Sequence, residues 1–185
     1  IAALWTWTAG YGGFYDQTWD HNFRNALLHD LIDHRWPVLW STPKGTIALD
    51  YYLAWSMIPA LVGKILGWRA ATLAMAVICA IGAFLVLLLF VRVVGTWRWW
   101  LPFVLVLWSG MDVLGWVLMR RIPGFHSCIE GWSDPIYYVS NLLNFYNAAH
   151  LMIPSWIITL LVIGRRLDRR VLAGLAAFLV PLAPF

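Results

Sequence analysis

Charge is scarce in this chain. Only 12% of its 185 residues are Asp, Glu, Lys or Arg, against 62% hydrophobic residues and a mean hydropathy of +0.71. So little charge excludes an ordinary soluble domain and an intrinsically disordered one. Cysteine is scarcer still. Cys79 lies in an apolar run and Cys128 in a polar loop, so they are not expected to share a depth or a disulfide, and no Cys/His spacing suggests a zinc site. The net charge of +4 is spread over segment ends. Basic residues placed that way mark topology and lipid headgroup contacts, and exclude a nucleic-acid surface. The chain opens without Met or a basic leader and closes within an apolar stretch, 180–185. A fragment, or the ordered part, of a longer protein is expected.

What the chain has in excess is apolar length and tryptophan. Fourteen tryptophans suit membrane interfaces, where an apolar ring with one polar edge is at home. Ala70 to Val91 carry no charge and are flanked by Arg69 and Arg92. Roughly 20 apolar residues cross a bilayer, so this is read as a transmembrane helix. Residues 99–119 form a second, interrupted by Asp112, and 142–164 a third, while 1–15 and 171–185 read as partial spans. Lipid tolerates only closed backbone hydrogen bonding, so the fold class is all-α, a polytopic transmembrane bundle in one domain, 1–185.

Residues 47–67 are ambiguous. Their uncharged part, Tyr51 to Gly63, is short and contains Pro59, a pattern more often re-entrant or interfacial than spanning. If it spans, loops 16–46 and 120–141 lie on opposite faces; if not, they share one. The count of basic residues favours the first arrangement, and length favours the second, which is adopted here. In either, the dense basic loop Arg165-Arg166-Leu167-Asp168-Arg169-Arg170 is cytoplasmic.

The polar residues are concentrated. Four of the nine acids and three of the five histidines fall between positions 16 and 34. Asp16 and Asp20 directly follow the first apolar run, at the membrane surface. A carboxylate there can serve as a general base, or merely cap the next helix. Residues 21–34 read as an amphipathic surface helix, with Phe23, Leu27 and Leu31 on the apolar side. His29 with Asp33, and Asp30 with His34, are helix neighbours able to ligate a divalent metal, although a wet polar face explains them as well. Asp112, between Gly110 and Gly115, is a functional candidate because an intramembrane carboxylate is expensive. Loop 120–141 offers Arg120 and Arg121 for a phosphate and Glu130, Trp132, Asp134, Tyr137 and Tyr138 for a sugar. His150 is a candidate haem or pigment ligand, weighed against a buried, hydrogen-bonded histidine.

Several stretches in order resemble a group of bacterial polytopic membrane proteins with the layout of GT-C membrane glycosyltransferases. They are His21-Asn22, Leu28-His29-Asp30-Leu31-Ile32, Trp36-Pro37-Val38, Asp50-Tyr51-Tyr52 and Pro59-Ala60-Leu61-Val62-Gly63-Lys64. Ser109-Gly110-Met111-Asp112-Val113-Leu114-Gly115, Ile129-Glu130-Gly131-Trp132 and Ile153-Pro154-Ser155-Trp156 follow. The resemblance implies the N-terminal part of an enzyme of the bacterial inner membrane. It would take sugar from a polyprenyl-phosphate carrier and pass it, with inversion, to an acceptor outside the cytoplasm. Asp16 or Asp20 would be the base, Asp112 and Glu130 supporting acids, and Arg120, Arg121, Trp132 and Tyr137 substrate contacts. The lipid bilayer, the lipid-linked sugar and other membrane subunits are the expected partners. The alternatives are a non-catalytic subunit of a membrane complex, with or without a pigment or haem on His150, and a transporter with Asp112 on its ion path.

Overall fold

The computed structural model describes residues 1–49, 51, 53–108, 115, 117–118 and 139–164. Helix takes 71% of them and strand 6%, so the described residues are mostly helical, with one hairpin among them. The first apolar run forms only a short helix, α1 (Ala2–Thr8). The chain then turns through Gly10, Gly12 and Gly13, all at positive φ. Helix α2 (Trp19–Asp33) follows. The hairpin of β1 (Leu39–Thr42) and β2 (Gly45–Ala48) pairs Leu39 with Ala48 and Thr42 with Gly45, and is exposed almost throughout. This hairpin, with its tight turn before Gly45 at φ 128°, departs from the all-α expectation.

Helix α3 (Leu53–Leu66) is 14 residues, ~21 Å at 1.5 Å per residue, short of the roughly 30 Å of a hydrocarbon core. A single residue, Gly67 at φ 84°, reverses the chain into α4 (Trp68–Val94). Helix α5 (Leu101–Leu107) leads to Trp108, whose extended backbone ends it. The continuous helix expected over 99–119 is therefore interrupted near its middle, and most of the remainder, Asp112 included, lies outside the described residues. Helix α6 (Asn141–Ile163) starts on a Ser140 cap, whose Oγ accepts from Leu143 N–H at 3.1 Å. Asn141 ties this start to the end of α5, donating from Nδ2 to Leu105 O (2.8 Å) and from its main-chain N–H to Trp108 O (2.9 Å).

Two of these helices, α4 and α6, are long and apolar enough to cross a membrane. On α4 the residues Leu73, Val77, Ile81, Phe84 and Leu85 face outward in a helical stripe. An apolar surface of that extent is covered by lipid or protein rather than left in water.

The interior has two clusters. The larger joins Trp5, Ala9 and Tyr11 to Cys79, Ala83 and Val86 of α4, Val106 of α5, and Phe145, Ala149 and Ile153 of α6. Trp5 lies tilted against Phe145 (4.4 Å) and stacks on Trp156 (5.7 Å). The smaller joins Leu27, Leu28 and Leu31 of α2 to Val38, Ala60 of α3 and Ala71 of α4. Small residues set the closest approaches: a Cβ on Gly63 would stand 2.6 Å from Ile32 Cδ1, and one on Gly82 2.7 Å from Ile153.

Helix α2 departs from its expected face. Phe23 is 51% exposed, with an edge contact to Tyr51 at 5.0 Å, whereas His21 is buried at 3%. The polar residue points inward because a built hydrogen-bond environment receives it there.

Candidate functional site

Between the two clusters lies a cavity of about 480 Å³. Its walls come from the glycine turn (Tyr11 to Phe14), Gln17 with His21 to Leu28 of α2, Tyr51 with Trp55 and Ser56 of α3, the first turns of α4 (Trp68 to Met75) and His150 of α6. The volume is that of a small-ligand site. Aromatic rings supply much of the wall, and two guanidinium groups, Arg24 and Arg69, supply its positive charge.

Arg24 is the more constrained. Its Nη1 donates to the Tyr11 hydroxyl at 3.3 Å, and its Nη2 lies 3.8 Å from Asp20 Oδ2, four residues back on the helix. Gln17 is anchored across the mouth, donating from Nε2 to Gly10 O (2.7 Å) and accepting from Asn25 Nδ2 (3.0 Å). His21 closes the floor. Its Nε2 lies 3.0 Å from Ala9 O and its Nδ1 3.1 Å from Thr18 Oγ1. The carbonyl only accepts, so Nε2 carries the proton and Nδ1 accepts from the threonine. Burial pushes the His21 pKa down, with Arg24 adding in the same direction. Burial likewise raises the Tyr11 phenol well above its usual range, so it stays protonated as a donor.

Helix α6 is broken where it meets this cavity. Ala148 has φ −149° and ψ 45°, and His150, buried at 6%, lines the wall just beyond, its ring 6.5 Å from that of Tyr51. Irregular backbone within an apolar helix survives where protein or a polar cavity satisfies its main-chain groups.

The chain matches no protein-family model, no curated protein and no solved structure.

Neither aspartate singled out by position lines the cavity. Asp16 is exposed beside it. Its Oδ1 accepts from Gln17 N–H at 3.0 Å, and its carbonyl accepts from the Tyr146 hydroxyl at 3.3 Å. Asp20 is engaged with Arg24. His29 stacks flat on Trp68 (3.7 Å, 11°) with Asp33 4.0 Å away. Among the described residues no three of His, Cys, Asp and Glu gather as metal ligands do. His34 Nδ1 turns back to Asp30 O (3.2 Å). Asp112, Arg120, Arg121, Glu130, Trp132, Asp134, Tyr137 and Tyr138 lie outside the described residues.

The cavity residues that position alone missed are Tyr11, Arg24, Tyr51, Trp55 and Arg69. Arg69 had a signal, as the charge bounding the apolar run of α4, but that signal reads equally as a topology marker.

Proposed function

We propose that this chain is the membrane-embedded part of a GT-C-like glycosyltransferase, in which the cavity receives the phosphate of a polyprenyl-phosphate sugar donor. The observation that carries the reading is the presence of both Arg24 and Arg69 in the lining of one aromatic-walled cavity. Guanidinium groups suit phosphate, and aromatic walls suit a sugar face and an isoprenoid chain. Helices α4 and α6 cross the bilayer in this reading, α2 and α3 lie at its outer surface, and the membrane is the bacterial inner membrane.

The loop after α1 then brings a base. Asp16 is the better candidate, because its carboxylate is exposed beside the cavity whereas Asp20 is held by Arg24. Asp16 takes the proton of the acceptor hydroxyl, and the oxygen attacks the anomeric carbon. The bond from that carbon to the phosphate oxygen breaks, and its electron pair leaves with the polyprenyl phosphate. Arg24 and Arg69 stabilise the charge that accumulates there. Asp112, Glu130, Arg120, Arg121, Trp132 and Tyr137 complete the site in this proposal.

Loss of a general base costs about 100-fold or more. Transfer from polyprenyl-phosphate sugars in membranes carrying Asp16→Asn should fall by that factor, and Asp20→Asn should fall less. Full transfer by both variants contradicts the assignment.

The break in α6 favours one second reading. Discontinuous spanning helices are the usual site-builders of secondary transporters, and a transporter would move solute with Asp16→Asn and Asp20→Asn alike.

A further inference from the structure

The Tyr11 hydroxyl is inserted into the main-chain ladder of α6. It donates to Phe145 O at 3.3 Å and accepts from Ala149 N–H at 3.1 Å. An unbroken α-helix would pair those two groups with each other, since they are four residues apart. Insertion of a side chain between such partners is a recognised cause of a sharp bend. The residue with non-helical angles, Ala148, lies between them.

A phenol has one proton and two lone pairs. The second lone pair is filled by Arg24 Nη1 at 3.3 Å. The oxygen is thus saturated, in a side chain 5% exposed and wedged against the rings of Phe145 (5.8 Å) and His21 (5.3 Å). Arg24 reaches it from the cavity. One guanidinium therefore connects the cavity, Asp20 and the break in α6.

Two physical consequences follow. A bond donated to the phenol oxygen polarises its O–H and strengthens the bond onward to Phe145 O. An anion in the cavity competes for the same guanidinium, and a phosphate adds opposite charge and a bidentate fit that a neutral hydroxyl lacks.

We propose that Tyr11 is a positioning residue that couples a phosphate group bound at Arg24 to the bend of α6. When phosphate draws Arg24 away, the bridge weakens and α6 relaxes toward a straight helix, moving His150 and the wall it forms. This rests on the reading of the cavity as a phosphate site, and it holds whether or not sugar transfer follows.

The test measures the separation of spin labels at exposed positions on either side of the break, Leu142→Cys and Ile163→Cys, by electron–electron resonance. The full chain carries Cys79→Ala and Cys128→Ser and sits in phosphatidylcholine nanodiscs. Adding phosphatidic acid to the bilayer, or pyrophosphate to the buffer, should lengthen the separation. A response to phosphatidic acid alone assigns the site to a lipid-borne phosphate, and a response to both assigns it to phosphate as such. Tyr11→Phe, which keeps the ring, and Arg24→Gln should show the longer separation without anion and no further response.

A wild-type separation unmoved by either anion overturns the coupling. So does a Tyr11→Phe variant that keeps the short separation and the full response. Tyr11-dependent movement without transferase activity keeps the coupling and removes the enzyme reading. Transfer with no movement does the reverse.

Discussion

His21 shows how one residue's chemistry was legible while its place was not. Its neighbours in sequence, Asp20 and Asn22, are polar, and nothing in the pattern marks it as buried. In the fold both ring nitrogens are satisfied, by Ala9 O and by Thr18 Oγ1, and the ring is buried beneath the cavity. No local pattern announces a bond between a helix and a carbonyl twelve residues upstream. Tyr11 is the same case at greater range, because its partners Phe145 and Ala149 are far along the chain. The pH consequence of His21 has a definite sign. Its folded pKa lies below the ordinary 6.5. Above that value both folded and unfolded states hold a neutral ring and nothing is lost. As pH falls below 6.5 the unfolded chain binds the proton first, so stability declines until pH has passed through the lowered folded value. Thermal unfolding of the detergent-solubilised protein from about pH 7.5 down to 5 should show this decline. His21→Gln should reduce it, and an equal decline in that variant would exclude His21 as its source.

At the scale of elements, periodicity and length served well where one face or one long apolar run decides the outcome. The run Ala70 to Val91 is the body of α4, and 142–164 is nearly all of α6. The pattern failed where a single residue overrules it: Trp108 ends α5 inside an apolar run. Gly67, the end of the short segment read at 47–67, folds α3 back onto α4 within one residue. Helix α3 is also fixed to α2 by a contact that sequence spacing does not reveal. Lys64 Nζ donates to Ile32 O (2.9 Å) and His34 O (2.6 Å), the free carbonyls at the end of α2, and lies over the Trp36 ring. The α4–α6 contact depends on Gly82, where a Cβ would meet Ile153 at 2.7 Å. Gly82→Leu should therefore cost about 3 kcal/mol by overpacking, measured as a lower unfolding midpoint. Adding Ile153→Ala should recover part of the loss, as expected for two residues in direct contact.

For the molecule as a whole, composition alone indicated a helical, membrane-suited chain, and two helices long and apolar enough to cross a bilayer agree with it. The polar stretch at 16–34 overlaps one wall of the cavity, through Gln17, His21, Arg24 and Asn25, whereas Asp16, Asp20, His29 and Asp33 lie off it. The cavity itself was not legible. It is assembled from five separated segments, and its two arginines stand 45 positions apart, at 24 and 69. Its role as a lipid-phosphate site is the central claim, and photolabelling tests it most directly. A diazirine-bearing polyprenyl phosphate in nanodiscs should label Trp55 and Met75 on the cavity wall. Arg24→Gln with Arg69→Gln should reduce that labelling about tenfold or more, equivalent to at least about 1.4 kcal/mol of binding. Undiminished labelling of Trp55 and Met75 in the double variant, or labelling confined to the outward faces of α4 and α6, would contradict it.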